Sequence, residues 1–443
     1  GAPDEAARAL STALKHLKGR DRDEGTILLA ETLQEMADWK GSLEVLADVE
    51  RKKTIDPRFA ELRDVMLVDA RRGLSLNSVK ERRELANALI RTLPQLSCPD
   101  AFLRSALVAA KIATGLRCSS VAQSLRECIA SYPTDGLNSR LKAMHALVSA
   151  MAAYQAGDAE TSLSILQRTV PEIDEAGLGD STAAMLHVGL GVVCGWNGDY
   201  SQAARSSERA LTLAERLDNQ MIAAIAAANL AVFHLRLGNY SKANDFGELA
   251  YQRALTQPLA EFDRIRASYF IGMASAFNGT TERAQKAIER LQIEVARTEL
   301  PWVRQIGHLY LADLNWLVGN RRAAIRSARA AVGLSRAPMA SAATGVFARW
   351  LAHLVRNPGH ADLALQLLQG LAEHETQLDR LDRIELSASI MSLQGGLAMV
   401  AESRAAQVRQ ELAQLPLAVS HQLTRLGVLT SGGGSKPLPE ALL

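Results

Sequence analysis

The side chains able to carry chemistry are few and scattered. Nine histidines, His16, His145, His187, His234, His308, His353, His360, His374 and His421, are spread along the chain. None stands in a zinc-binding spacing: His374-Glu375 has no histidine three residues further on, and His353 and His360 lack a cysteine or carboxylate at ligand spacing. The four cysteines, Cys98, Cys118, Cys128 and Cys194, form no CxxC pair and are too sparse to staple 443 residues, so they read as reduced thiols in a cytoplasmic protein. Gly432-Gly433-Gly434-Ser435-Lys436 has the composition of a phosphate loop. It lacks the glycine spacing and a preceding strand, and Pro437 stands where a helix-opening Ser or Thr is needed. There is no Gly-x-Ser-x-Gly elbow, and acidic pairs such as Asp379/Asp382 sit beside Arg380 and Arg383, as on a solvated helix. The expectation is a binding protein, not an enzyme, with neither metal nor cofactor.

Charge and composition narrow the partner. Lys+Arg 50 against Asp+Glu 48 leaves a net +2, which gives no electrostatic footprint for direct nucleic-acid binding or for an anionic membrane. No apolar run reaches the ~20 residues that span a bilayer, and Gly1-Ala2-Pro3-Asp4-Glu5 lacks the basic flank of a secretion signal; a soluble chain is expected. With 13 Pro, 30 Gly and 5% aromatics in a chain rich in Ala and Leu, the expected class is all-α.

What must position any binding residues is an internal repeat. Short turns centred on Gly157, Gly198, Gly238, Gly279, Gly319 and Gly359 follow one another at 40 or 41 residues. Five residues after each of the last five glycines stands an alanine: Ala203, Ala243, Ala284, Ala324 and Ala364. Each unit reads as an apolar helix, a glycine turn suited to positive φ, and an amphipathic helix. Pro171, Pro258, Pro301 and Pro338 are expected between units, where a helix must stop. Before residue 140 the repeat is degenerate. Ala37-Asp38-Trp39-Lys40-Gly41-Ser42 echoes the Gly-Asp-Tyr turn, and further turns are expected at Thr114-Gly115-Leu116-Arg117 and around Arg71-Arg72-Gly73, for about nine or ten hairpins in all. The organisation is therefore degenerate hairpins over 1–139, regular repeats over 140–375, capping helices over 376–429, and a flexible Gly/Ser linker with a short tail over 430–443.

These units resemble the tetratricopeptide repeat. Leu190-Gly191, Leu230-Ala231, Ile271-Gly272 and Leu311-Ala312 match the Leu-Gly/Ala pair of its first helix, and Ala203/Ala210, Ala243/Ala250 and Ala324/Ala331 match the alanines of its second. The period exceeds the usual ~34 residues by about one helical turn per helix. Long hairpins of that kind are similar to the superhelical sensor domains of signal-transduction ATPases, notably maltose-activator-like regulators with a LuxR-type DNA-binding tail.

The resemblance implies a right-handed superhelical solenoid whose first helices line a concave groove. Counting the turn glycine as the fifteenth position of the repeat, it directs to the groove Met185 and Trp196; Arg236; Arg266, Tyr269, Met273 and Phe277; Asp313 and Trp316; then Arg349, His353 and Arg356. Aromatic and Met side chains would give adaptable apolar contact, and arginines would grip carboxylates or carbonyls. The asparagine with which chaperone-tail receptors of the family clamp a carboxylate is replaced by Val192, Val232, Met273 and Asp313. The implied function is recognition of a protein or peptide in the groove, as the signal-sensing part of a larger bacterial transcriptional regulator. A free-standing adaptor is the alternative. A small-molecule inducer is a second occupant to consider, and self-association through the C-terminal tail, Leu438, Leu442 and Leu443, a third.

Overall fold

A computed structural model describes residues 2–50, 57–74, 79–116, 118–257, 261–298, 300–334, 344–355, 361–372, 380–391, 407 and 410–426. Among the described residues the regular structure is helical, with no strand. The N-terminal helices are α1 (Ala2–Ala13), α2 (Gly19–Glu35), α3 (Trp39–Glu50), α4 (Pro57–Leu74), α5 (Val79–Thr92), α6 (Pro99–Leu116), α7 (Ser119–Ala130), α8 (Ser139–Gln155) and α9 (Ala159–Glu175). They are followed by α10 (Ser181–Trp196), α11 (Tyr200–Arg216), α12 (Gln220–Arg236), α13 (Tyr240–Leu255), α14 (Glu261–Phe277), α15 (Thr281–Arg297) and α16 (Pro301–Leu317). The last are α17 (Arg321–Gly333), α18 (Thr344–Val355), α19 (Ala361–Ala372), α20 (Arg380–Met391) and α21 (Leu417–Arg425). No helix among the described residues is long and apolar enough to cross a membrane.

The glycine ladder works as its spacing predicts. Gly157, Gly198, Gly238, Gly279 and Gly319 all have φ between +78° and +90°. At Gly238 the following amide, of Asn239, donates to the carbonyl of His234 at 2.8 Å, and the Gly238 amide donates to that of Leu235 at 3.0 Å. This pair of bonds satisfies carbonyls that a helix end leaves open and reverses the chain into the next helix. The same two bonds close the turns at Gly157, Gly279 and Gly319. Ala37 does the work of the glycine in the first full hairpin, at φ +59°, with Asp38 donating to Leu33 and Ala37 to Gln34. The turn at Gly359 lies outside the described residues.

Between the paired helices the alanines are where close approach demands them: Ala203, Ala243, Ala284, Ala324 and Ala364 are all fully buried. First helices such as α10 and α14 are buried around most of their circumference, because neighbours cover both sides; α15 buries one stripe and leaves its charged face to solvent.

Three expectations need correction, the first being the turn at 114–117: Thr114, Gly115 and Leu116 are the end of α6. Pro171 does not separate units but lies inside α9. It sits in the last turn on the exposed side, where water can satisfy the carbonyl that its ring deprives of a donor. Arg71-Arg72-Gly73 is not a turn but the end of α4. Gly73 is instead a packing residue: a Cβ there would come within 2.4 Å of the Trp39 ring, so only glycine lets the indole lie against the helix. Pro301 opens α16 as expected, whereas Pro258, Pro338 and the tail from 430 onward lie outside the described residues.

The chain forms two compact units. One comprises Gly1–Cys194, Gln202–Asn229 and Gln252–Ala260; the other comprises Gly195–Ser201, Leu230–Tyr251 and Glu261–Leu443. Within the first, α2, α4, α6 and α8 lie side by side in one row. Within the second, α14, α16, α18 and α20 do the same, with α15, α17 and α19 packed between successive members.

Because the left-handed conformation costs a residue with a Cβ about 1–2 kcal/mol, Ala37→Gly is expected to stabilise the protein by about 0.5–1 kcal/mol after allowing about 0.4–1 kcal/mol for the freer unfolded chain. An unchanged or lower denaturant midpoint would show that Ala37 is not held at positive φ.

Candidate functional site

In the second unit the sequence-predicted residues divide into two groups. Tyr269, Met273, Asp313 and Arg349 are interior, none more than 5% exposed. Most of their polar groups bond to one another or to Trp350 and Glu385, while Arg349 Nε is buried without a hydrogen-bond partner among the described residues. Arg349 Nη2 donates to both carboxylate oxygens of Asp313, at 2.7 and 2.6 Å, while Tyr269 Oη and Trp350 Nε1 each donate to Asp313 at 2.8 Å. Arg349 Nη1 reaches Glu385 at 3.2 Å. Burial pushes the Glu385 carboxyl above its ordinary pKa, since the Arg349 charge is committed to Asp313 and offers Glu385 a single bond. Burial and the neighbouring Asp313 likewise hold the Tyr269 hydroxyl well above its usual value. Tyr269 is stacked on Tyr310, with ring centres 3.8 Å apart. This is a dry network crossing α14, α16, α18 and α20, and it is not a surface for anchoring a ligand.

Trp196, Arg236, Arg266, Phe277, Trp316 and His353 are half-buried, as is Met185 in the first unit. Trp316, Trp350 and His353 form a ring cluster with centres 4.9–5.7 Å apart. Arg321 lies over Trp316 at 3.5 Å and donates to the Trp316 carbonyl at 3.1 Å. Arg266 pairs with Asp263 at 3.5 Å and lies over Phe262. Arg356 lies outside the described residues.

Arg236 and Phe277 meet an occupant from their own chain. Gln422, on α21, accepts from Arg236 Nη1 at 3.0 Å and donates to the Leu235 carbonyl at 2.6 Å. Arg425 donates to the Ala276 carbonyl at 3.1 Å and lies 4.9 Å over the Phe277 ring, beside which stands His421. Val419, Gln422 and Leu423 are fully buried, while Leu417 at the start of the helix is exposed.

A charged cleft in the first unit escaped the sequence reading. It is open to solvent and is walled by Trp39, Met66 and Met144 around Glu35, Arg104 and Lys111. Glu31 lies between Arg104 and Arg140, which outweigh the effect of burial and hold its carboxyl below the ordinary pKa. Lys111 pairs with Asp69 at 3.2 Å, and burial lowers the Lys111 pKa. Glu35 accepts from the Ser181 amide at 2.8 Å, but burial prevails and raises its pKa. The cleft offers both signs of charge on an apolar frame. The one available signal was the charge on first helices, Glu31/Glu35 four apart and Arg104/Lys111 seven apart, but without a glycine ladder nothing set their register. Among the described residues no group of three or more His, Cys, Asp or Glu is placed to hold a metal ion.

Removing one partner of a buried ion pair strands the other, so Asp313→Ala is expected to cost about 3–5 kcal/mol, and Tyr269→Phe, which removes one of several donors to Asp313, about 1 kcal/mol. Urea melts giving equal, small losses would show the network to be wet. A carboxyl whose folded pKa is raised stabilises the fold fully only below its unfolded pKa and loses that contribution as pH rises through the folded one. Glu35→Gln, which keeps an acceptor for Ser181 and cannot ionise, is therefore expected to match the unaltered chain near about pH 3 and to exceed it in stability above neutrality. A pH-independent difference in melting temperature would refute the raised pKa.

Residues 181–256 match the tetratricopeptide repeat family profile. No curated protein matches the chain by sequence. Among solved structures, NprR in complex with its cognate peptide NprX is similar at 11% identity and a TM-score of 0.52, over 90% of this chain and 99% of that one. A Rap protein complexed with competence and sporulation factor follows at 12% identity and 0.48, over 79% of this chain and 93% of that one. A signal transduction ATPase with numerous domains, with a tetratricopeptide repeat sensor, from Pyrococcus horikoshii gives 13% identity and 0.39, over 85% of this chain and 55% of that one. Residues 181–256 thus match tetratricopeptide repeats, and the described chain around them is all-helical and built of the same kind of hairpin.

Proposed function

We propose that the protein is a non-catalytic recognition solenoid that takes a peptide or a segment of a partner protein on the face where α12 and α14 end, as the signal-sensing part of a larger bacterial transcriptional regulator. A free-standing adaptor would use the same face without an attached effector. One observation carries the reading: Leu235, Arg236, Ala276 and Phe277 already hold a helical segment through two carbonyls, a guanidinium and a ring. Arg and aromatic side chains are the types that dominate binding energy when a partner covers them. NprR, a peptide complex on a similar fold, supports the reading.

The test is selection of random peptides on the full chain. Enriched peptides are expected to lose at least about tenfold in affinity with Arg236→Ala combined with Phe277→Leu, the equivalent of ~1.4 kcal/mol, while helicity is unchanged. Enriched peptides that ignore both substitutions, or no enrichment over an unrelated helical protein, would overturn it.

A further inference from the structure

The side chains of α21 bond to the ends of α12 and α14, far earlier in the chain than α20, the last first-helix among the described residues. Leu235 and Ala276 are equivalent positions, each three residues before its turn glycine, Gly238 or Gly279. Gln422 and Arg425 are three apart on one helix face, so a single turn of α21 addresses two successive repeats. The next equivalent carbonyl, of Trp316, is answered differently: Arg321, from the following helix, donates to it and stacks on the adjoining ring. The residues at the place of Arg321 in the two earlier turns are Tyr240 and Thr281, and there α21 provides the guanidinium and amide.

The buried face of α21 is Val419, Gln422, Leu423 and Leu426, the spacing of a helix lying in a groove. Gln422 is fully buried with both amide atoms bonded, so the face reads an amide as well as apolar shape. We infer that α21 is a resident, displaceable occupant of a helix-binding face at the ends of α12 and α14, and that the partner of that face is an amphipathic helix presenting a side-chain amide and an arginine three residues apart along an apolar stripe. The inference rests on the proposed recognition function and specifies the partner and its control: a tethered occupant competes at high effective concentration, and a partner binds only by replacing it.

The probe is a fluorescein-labelled synthetic peptide with the sequence of residues 415–427, titrated by anisotropy into the full chain. It is expected to bind the double variant Gln422→Ala/Arg425→Ala at least about tenfold more tightly than the unaltered chain, and Arg236→Ala added to that variant is expected to cancel the gain. Affinities within about twofold of each other, or no binding to either chain while circular dichroism is unchanged, would overturn the inference. Should the variant fail to fold, hydrogen exchange on the unaltered chain decides: amides of 417–426 are expected to open at least about tenfold faster than those of α14, and exchange in step with α14 would make α21 a fixed part of the core. If selected peptides bind the unaltered chain and the double variant alike, the recognition reading stands and this inference alone falls.

Discussion

Every hairpin here depends on how an α-helix ends. Its last carbonyls have no amide ahead of them, and the chain satisfies them by placing one residue in the left-handed region so that the next two amides turn back. That requirement puts Gly157, Gly198, Gly238, Gly279 and Gly319 at fixed intervals and forces Ala37 into a conformation that suits it poorly. It also leaves a regular ladder of carbonyls along the ends of the first helices. A carbonyl has two lone pairs and the turn uses one, so Leu235, Ala276 and Trp316 can each accept again, from Gln422, Arg425 and Arg321. The period and the seat of α21 come from the same groups.

The hairpins were legible because their determinants are local. A positive φ selects glycine, a tight crossing selects alanine, and both leave marks at fixed spacing, which is why the turns and the buried alanines are found where the ladder puts them. The site was less legible because it depends on which way a first helix is rolled. Positions counted on a shorter repeat placed Tyr269, Met273, Asp313 and Arg349 in the groove, whereas helices of 17 residues such as α14 and α16 turn those positions into the interface between neighbouring first helices. Pro171 was misplaced for a related reason: proline forbids a hydrogen bond, not a helix, and an exposed last turn tolerates the loss. Gly73 was read as a turn because glycine permits one, when the Trp39 ring was what excluded a Cβ.

The two units handle buried charge differently. In the first, Glu31, Glu35, Asp69, Arg104, Lys111 and Arg140 stand around a cleft that opens to solvent. In the second, Asp313 and Arg349 are closed off, and the carboxylate takes four hydrogen bonds from three donor groups, an arrangement that ties neighbouring repeats together.

That arrangement bears on how the solenoid comes apart. A repeat array in which each hairpin touches only its neighbours tends to fray from its ends, one repeat at a time. Tyr269, Asp313, Arg349 and Glu385 join α14, α16, α18 and α20 through one chain of hydrogen bonds in a dry interior, where a stranded charge is far costlier than a lost contact. Parting α16 from α18 leaves Asp313 and Arg349 each without its ionic partner, whereas α14 contributes the neutral Tyr269 hydroxyl. α16 and α18 are therefore expected to open together, so that the array is more cooperative at that step than a stack of independent repeats.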